Sequence, residues 1–475
     1  MNRHGAIDTG PSTSPLPSTT GTRPTGRAHR PGDRAVLSDA DITTLVTERP
    51  IGHSLAAPFY TSPEIFELDM EEIFSKHWLF VATEAEIPDP GDYVTVDVGR
   101  HSVILVRDDD EQVRAHRNVC RHRGARLLDN PCGSVGNIVC PYHQWTYRPE
   151  GDLVYAESQP ADFDRSAFGL RPVNVRSVGG LLFVCFSDTP PDDFDEVAAI
   201  LEPYLAPFDL RSTAVAHRTD LEEKGNWKLV MENNRECYHC DGSHPELATA
   251  YFTVSRYSED QVPPRNWEQY ERYLAAASDL VARKGDIDFP TTDVSELDTR
   301  PTGFQVAHVP LDGAGASIAA DGKQVSRRLL GKVPTPTFGD LSIHVQPNTW
   351  VHVLSDHAVV FSVLPVAADR SIVRTTWLVH PEAVAGADYD VEALTEVWRA
   401  TNDEDRELVE LTQRGVADPG YVPGPYSLVE AEVEAFVNWY VQRLGHALSA
   451  RTTAGGTTPA PVATGAALAE GGAEA

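Results

Sequence analysis

Apolar positions follow three rhythms along this chain. Between Pro63 and Trp78 they recur at helical spacing. Ile65, Leu68, Ile73 and Phe74 form one stripe, Ser62 can cap the start, and Pro63 suits the first turn. From about Asp92 to Asp188 the rhythm is that of short strands. Runs such as Tyr93–Val98, Val103–Val106 and Leu181–Phe186 are β-branched or aromatic, and Gly, Asp and Asn separate them. After Pro203 the two patterns mix. Trp227 to His239 has helical spacing, while Ile343–Gln346, Trp350–Leu354, Val359–Leu364 and Ile372–Val379 read as consecutive strands of one antiparallel sheet. A long helix is expected from about Val391 to Arg414, capped by Asp388 or Asp390 and stopped at Gly415, and a last helix near Glu430–Leu444. The expected class is α+β: an all-β domain, then a domain with a central antiparallel sheet flanked by helices.

Composition sharpens this outline. The two ends, 1–38 and 448–475, are rich in Pro, Gly, Ala, Ser and Thr and bury too little to offset ordering entropy, so both are expected to be disordered tails. Between them the reading gives a helical lead-in at 39–90, the β domain at 91–190 and the larger domain at 191–447. A formal net charge of −30 repels nucleic acid and anionic membranes. No run of apolar residues is long enough to span a bilayer, and no secretory signal is visible, so a cytoplasmic protein is expected. Six cysteines in so long a chain are not a disulfide framework; near histidine they point to metal.

Two constellations carry chemistry. In the β domain, Cys120-Arg-His122 and Cys140-Pro-Tyr-His143 form two short pairs, each able to project from one loop tip. Structural zinc sites favour Cys with Cys and His with His. One Cys and one His per loop suits a Rieske [2Fe–2S] cluster, in which thiolates hold one iron and neutral imidazoles the other. Cys132 and Cys185 fall outside the pairs and read as structural. Farther on, Glu236, His239 and His244 lie in one segment. Glu236 and His239 are three apart and would share a helix face, and Gly242 and Pro245 would break the helix and swing His244 back. Two histidines with a remote carboxylate are the facial triad of non-haem Fe(II) oxygenases; a zinc held by Cys237, Cys240 and one His is the competing reading. For the carboxylate, Asp405 lies on an inward stripe with Leu394, Trp398, Leu408, Val409 and Thr412, and Glu404 sits on a neighbouring stripe with Val397 and Leu411.

With these motifs the chain resembles the Rieske oxygenase family of ring hydroxylases and N-demethylating monooxygenases over roughly residues 50–445. Within it, Glu232–His239, Trp377–His380, Gly386–Asp390, Thr401–Asn402 and Pro423–Ser427 are similar to the branch of glycine betaine monooxygenase oxygenase components and stachydrine demethylases. The resemblance implies a Rieske domain followed by a catalytic domain of helix-grip (Bet v1/START-like) form. It implies a [2Fe–2S] cluster on Cys120, His122, Cys140 and His143, and Fe(II) on His239, His244 and Asp405, favouring Asp405 over Glu404. Glu236 would stand where the family links a cluster His of one subunit to an iron His of the next in a homotrimer. The implied activity is O2-dependent N-demethylation of a betaine-like amine with release of formaldehyde; an aromatic ring dioxygenase is the alternative. NADH and flavin would belong to a separate iron–sulfur reductase, since no GxGxxG is present here. Trp350, Phe361 and Trp377, on expected strands of the catalytic sheet, are candidates for an aromatic cage around a quaternary ammonium.

Overall fold

The computed structural model describes residues 36–454. The expectations for 1–35 and 455–475 lie outside the described residues. The last helix runs on to Ala454, into the segment expected to be an unstructured tail. No helix among the described residues is long and apolar enough to cross a membrane.

The first expected helix forms at Pro63–Glu72, with Ser62 accepting from the Ile65 N–H. It stops short of Trp78. Ser75 Oγ donates to the Met70 carbonyl at 2.6 Å and closes the helix end, and the chain then enters the strand Leu79–Thr83. Three small antiparallel sheets follow. One is four-stranded and is built on Asp92–Val98 and His101–Arg107; the other two have three strands each.

The later part is organised by one seven-stranded sheet. Its strands are β1 (Ala214–Glu223), β2 (Val294–Glu296), β3 (Phe304–Val309), β4 (Asp340–Val345), β5 (Thr349–Val353), β6 (Ala358–Ala367) and β7 (Arg370–Val379). All neighbours are antiparallel, in the order β1-β7-β6-β5-β4-β3-β2. The four strands expected from sequence are β4 to β7.

Both faces of this sheet are covered, so β4 and β5 are buried at every residue rather than at alternate ones. Ile343, Val345, Val351, Val353 and Leu378 pack with Phe194, Val197, Leu201 and Leu280 on one face. On the other face Trp350, Phe361 and Trp377 pack with Trp227 of helix α1 (Trp227–Asn234), Leu394 and Trp398 of α2 (Val391–Val416), and Phe436 and Trp439 of α3 (Ala431–Ala454). The same core takes in Val94, Val96 and Leu105 of the four-stranded sheet. Asp390 caps α2, accepting from the Ala393 N–H.

Candidate metal centres and active site

The Cys-x-His and Cys-x-x-His loops share one construction. In each, the Cys N–H donates to the carbonyl five residues on (Ala125 or Trp145, both 2.8 Å), and the residue four on donates back to the Cys carbonyl. That residue is Gly124 or Gln144, and both adopt positive φ, which turns the chain so that Cys and His point the same way. Cys120 and Cys140 are buried free thiols within hydrogen-bonding reach of each other. Their histidines lie outward of them with ring centroids 4.7 Å apart; Trp145 stacks on His122 and Tyr142 on His143. Burial pushes the Cys140 thiol up. Tyr147 Oη lies 3.4 Å from the Cys120 sulfur and accepts the Arg121 N–H. His143 Nδ1 is buried with no partner in the protein. Two thiols inside, two imidazoles outside and an orphaned ring nitrogen between them fit a mixed-ligand iron–sulfur cluster.

The second constellation depends on a helix that ends early. α1 stops at Asn234, not near His239, so Glu236 and His239 do not share a helix face. The Glu236 carboxylate accepts from the backbone N–H groups of Tyr238 and His239, donors a continued helix would have used. The same carboxylate takes the His239 ring, Nδ1 to Oε1 at 2.5 Å. A single turn, Cys240–Ser243, follows, and His244 leaves it with non-helical dihedrals ahead of Pro245. The expected break is therefore present, and it does bring His244 back.

His239 Nε2 and His244 Nε2 are 3.0 Å apart, and Asp405 Oδ1 lies 3.2 Å from the first and 3.1 Å from the second. Ligands at right angles on bonds of about 2.1 Å are separated by about 3.0 Å, so the three atoms fit one face of an octahedral metal. Both outer ring nitrogens are held by carboxylates: His239 by Glu236, and His244 by Glu404 at 2.8 Å. Burial opposes charge on His239, but hydrogen bonds to Asp405 and Glu236 outweigh it and push its pKa up to about 10. Burial likewise opposes charge on His244, but Asp405 and Glu404 raise its pKa. Asp405 stays low despite burial because both imidazoles donate to it. Glu404, the runner-up from sequence, is thus an outer partner rather than the third converging group. Cys237 and Cys240 are joined in a disulfide, which leaves no thiolate there for the zinc alternative.

A cavity of about 60 Å³ opens on this cluster and is lined by Tyr251, Arg256, His344, His352, Trp398 and Thr401, among others. Trp350, Phe361 and Trp377 do not line it. They sit on the correct sheet face, but α2 lies across that face. Trp350 stacks on Phe361 at 4.8 Å, Phe361 packs edge-on to Trp398 at 5.1 Å, and Trp377 packs on His217. The ring beside the cluster is Trp398, stacked on His352 at 4.6 Å. Its spacing of seven from Asp405 was visible in sequence; the contributions of Tyr251, Arg256, His344 and His352 carried no local signal. Glu236 and His239 also line a second cleft of about 280 Å³ with Glu232, Leu408 and Glu430. Among the described residues no hydrogen bond, ion pair or ring contact joins the two cysteine–histidine loops to this cluster.

Residues 77–175 match the Rieske [2Fe-2S] domain model, and residues 210–446 match the ring hydroxylating alpha subunit (catalytic domain) model. The chain belongs to the ring-hydroxylating Rieske oxygenases. It is 41% identical to the glycine betaine monooxygenase oxygenase subunit of Pseudomonas aeruginosa over 84% of this chain and 91% of that protein. It is 43% identical to the corresponding subunit of Chromohalobacter salexigens over 83% and 87%. Among solved structures, a quaternary ammonium Rieske monooxygenase superposes with TM-score 0.63 at 23% identity, covering 84% of this chain and 98% of the other. Naphthalene 1,2-dioxygenase of a Rhodococcus species gives 0.59 at 20% identity, covering 85% and 98%; these two likenesses speak for the fold. Family membership makes the chain an oxygenase and implies an iron–sulfur cluster, a non-haem iron, a separate reductase and a small-molecule substrate.

Proposed function

We propose that this protein hydroxylates an N-methyl group of a betaine-like quaternary or tertiary amine, so that the carbinolamine product collapses to formaldehyde and the demethylated amine. The observation that carries the reading is the convergence of His239, His244 and Asp405 within 3.2 Å at a cavity walled by aromatic rings. Cys120, His122, Cys140 and His143 would hold the [2Fe–2S] cluster, and His239, His244 and Asp405 the Fe(II). When bound, these centres supply electron storage and O2 activation. The chain's own residues do the rest. Trp398 and Tyr251 line the cavity and can offer aromatic rings to a cation, each contact contributing on the order of 0.5–2 kcal/mol. Glu236 and Glu404 fix each imidazole with Nδ1 protonated, which leaves Nε2 free to ligate.

Glu236 is the bridge for electrons arriving from a neighbouring subunit in a homotrimer. The residue lines both the cavity and the outer cleft, and after its three hydrogen bonds the carboxylate has one acceptor position left for a second imidazole N–H. The absence of a bonded path from cluster loops to triad within the described chain supports a route between chains. Electrons reach the cluster from NADH through the separate flavin and iron–sulfur reductase. The test is anaerobic reconstitution followed by turnover with a surrogate reductase across N-methyl amines and arenes. Formaldehyde from the amines is expected; a cis-diol from an arene with no formaldehyde from any amine refutes the reading.

A further inference from the structure

The disulfide between Cys237 and Cys240 has no part in the chemistry above, yet both residues line the cavity beside the triad. The two sulfurs differ in access: Cys240 is buried, while Cys237 is half-buried. Cys240 opens the single turn Cys240–Ser243, which is flanked by the two histidines, His239 before it and His244 after it. The Cys240 sulfur and one ring nitrogen each of His239 and His244 all lie within 4.8 Å of one another. Donor atoms on one tetrahedral zinc, with a Zn–S bond of about 2.3 Å and a Zn–N bond of about 2.0 Å, stand about 3.5 Å apart. The sulfur thus has to close by about an ångström, which a change of the Cys240 rotamer supplies once its bond to Cys237 is gone.

With the disulfide closed, the two sulfurs are spent on each other and neither is a thiolate that can ligate. The metal site then consists of His239, His244 and Asp405 on one face, and the rest of the coordination sphere stays open. With the disulfide reduced, Cys240 becomes a fourth donor. Two imidazoles, a carboxylate and a thiolate make a closed tetrahedral set, which suits zinc and leaves no position for O2. We infer that Cys237 and Cys240 form a redox switch that sets this site between an open three-ligand form for iron and a closed four-ligand form for zinc. The reductant is a dithiol. Its first thiolate attacks the more accessible sulfur, that of Cys237, which forms a mixed disulfide and releases Cys240 as a thiolate beside the two imidazoles. Its second thiol then resolves the mixed disulfide. Two electrons pass to the protein, the dithiol ends as a disulfide, and its two protons end on Cys237 and Cys240; zinc displaces the one on Cys240. The inference takes the triad as the metal site but needs nothing of the proposed substrate.

The test uses the full chain with its cluster in place and the mononuclear iron stripped by a chelator, handled without oxygen. One portion stays oxidised; the other is treated with a water-soluble phosphine, which is then removed. Alkylation and mass analysis of the peptide carrying residues 237–240 scores the disulfide in each. Both portions are equilibrated with equal Fe(II) and Zn(II), and bound metals are counted, with the visible spectrum of the cluster as the control for its integrity. Reduction is expected to raise the ratio of zinc to iron by at least ~10-fold. Co(II) in place of zinc is expected to give a thiolate-to-metal charge-transfer band in the reduced portion, read as a difference from the zinc-loaded protein so that the cluster cancels. Cys237→Ser, in which Cys240 cannot be bridged, should behave as reduced without phosphine, and Cys240→Ser should behave as oxidised with or without it. A zinc-to-iron ratio that stays within about twofold on reduction overturns the inference. So does a reduced chain without the charge-transfer band, a phosphine effect that survives in Cys240→Ser, or an oxidised chain without the bond between Cys237 and Cys240. Turnover is not among these readouts. A protein that releases no formaldehyde defeats the proposed function alone, and a metal ratio indifferent to reduction defeats the switch alone.

Discussion

Removing the Glu404 carboxylate should loosen iron without touching the cluster. His244 is 1% exposed, and its Nδ1 has Glu404 Oε2, at 2.8 Å, as its acceptor. Glu404→Ala leaves that buried N–H unpaired, a cost of about 1–3 kcal/mol, which is ~5–150-fold in an affinity that depends on the ring's orientation. Glu404 is itself 31% exposed, so water can partly fill the vacated position and the lower part of the range applies. The expected loss is ~5–30-fold, in keeping with other carboxylates that orient metal-ligating histidines. Glu404→Gln keeps an acceptor oxygen and should stay within about threefold of wild type. The assay is competition for Fe(II) against a coloured chelator under anaerobic conditions. The visible spectrum of the cluster serves as the internal control, and Asp403→Ala, exposed on the same helix, as the neutral comparison. Iron affinity of Glu404→Ala within about twofold of wild type would refute the reasoning, because the His244 ring would then be oriented by packing alone.

Three further expectations are open to direct test. Glu236→Ala should slow oxidation of the reduced cluster by O2 and substrate in stopped-flow; an unchanged rate removes its bridging role. Lys228 and Asp69 form a fully buried pair at 2.5 Å, and Asp69 also accepts from Trp227 and Tyr440, so Lys228→Met strands a carboxylate. A loss of about 3–5 kcal/mol in urea unfolding is expected, and no loss would refute the stabilising role of this buried pair. His308 is pushed down to about 3 by burial, with Lys284 adding to the effect. A histidine lowered in the folded state contributes stability that is full above its unfolded pKa of about 6.5 and lost as pH falls toward 3. Between pH 7 and 5 wild type should therefore lose about 2 kcal/mol more than His308→Phe; parallel pH profiles would show the ring titrating normally.

Much of this protein is written locally. The two cysteine–histidine pairs, the Gly242 and Pro245 break beside His244, the strands β4 to β7 and the Asp390-capped helix α2 each follow from neighbours in sequence. Backbone preference, capping and ligand spacing act over a few residues, and so could be read without a fold. Other features were not legible. α1 ends at Asn234 because the Glu236 carboxylate captures the next backbone donors, a competition between side chain and helix that apolar periodicity does not register. Trp350, Phe361 and Trp377 occupy the face that periodicity gave them, yet α2 seals them off and sets Trp398 in the cavity instead. Residue identity alone determines which positions can ligate, stack or carry charge. Only tertiary packing decided that Asp405 of α2 and Arg256 of a loop line one cavity, and that Arg256 and Glu432 of α3 line an adjoining one. Their meeting depends on how helices seat across a sheet from residues up to about two hundred positions apart, and nothing in the local pattern encodes that distance.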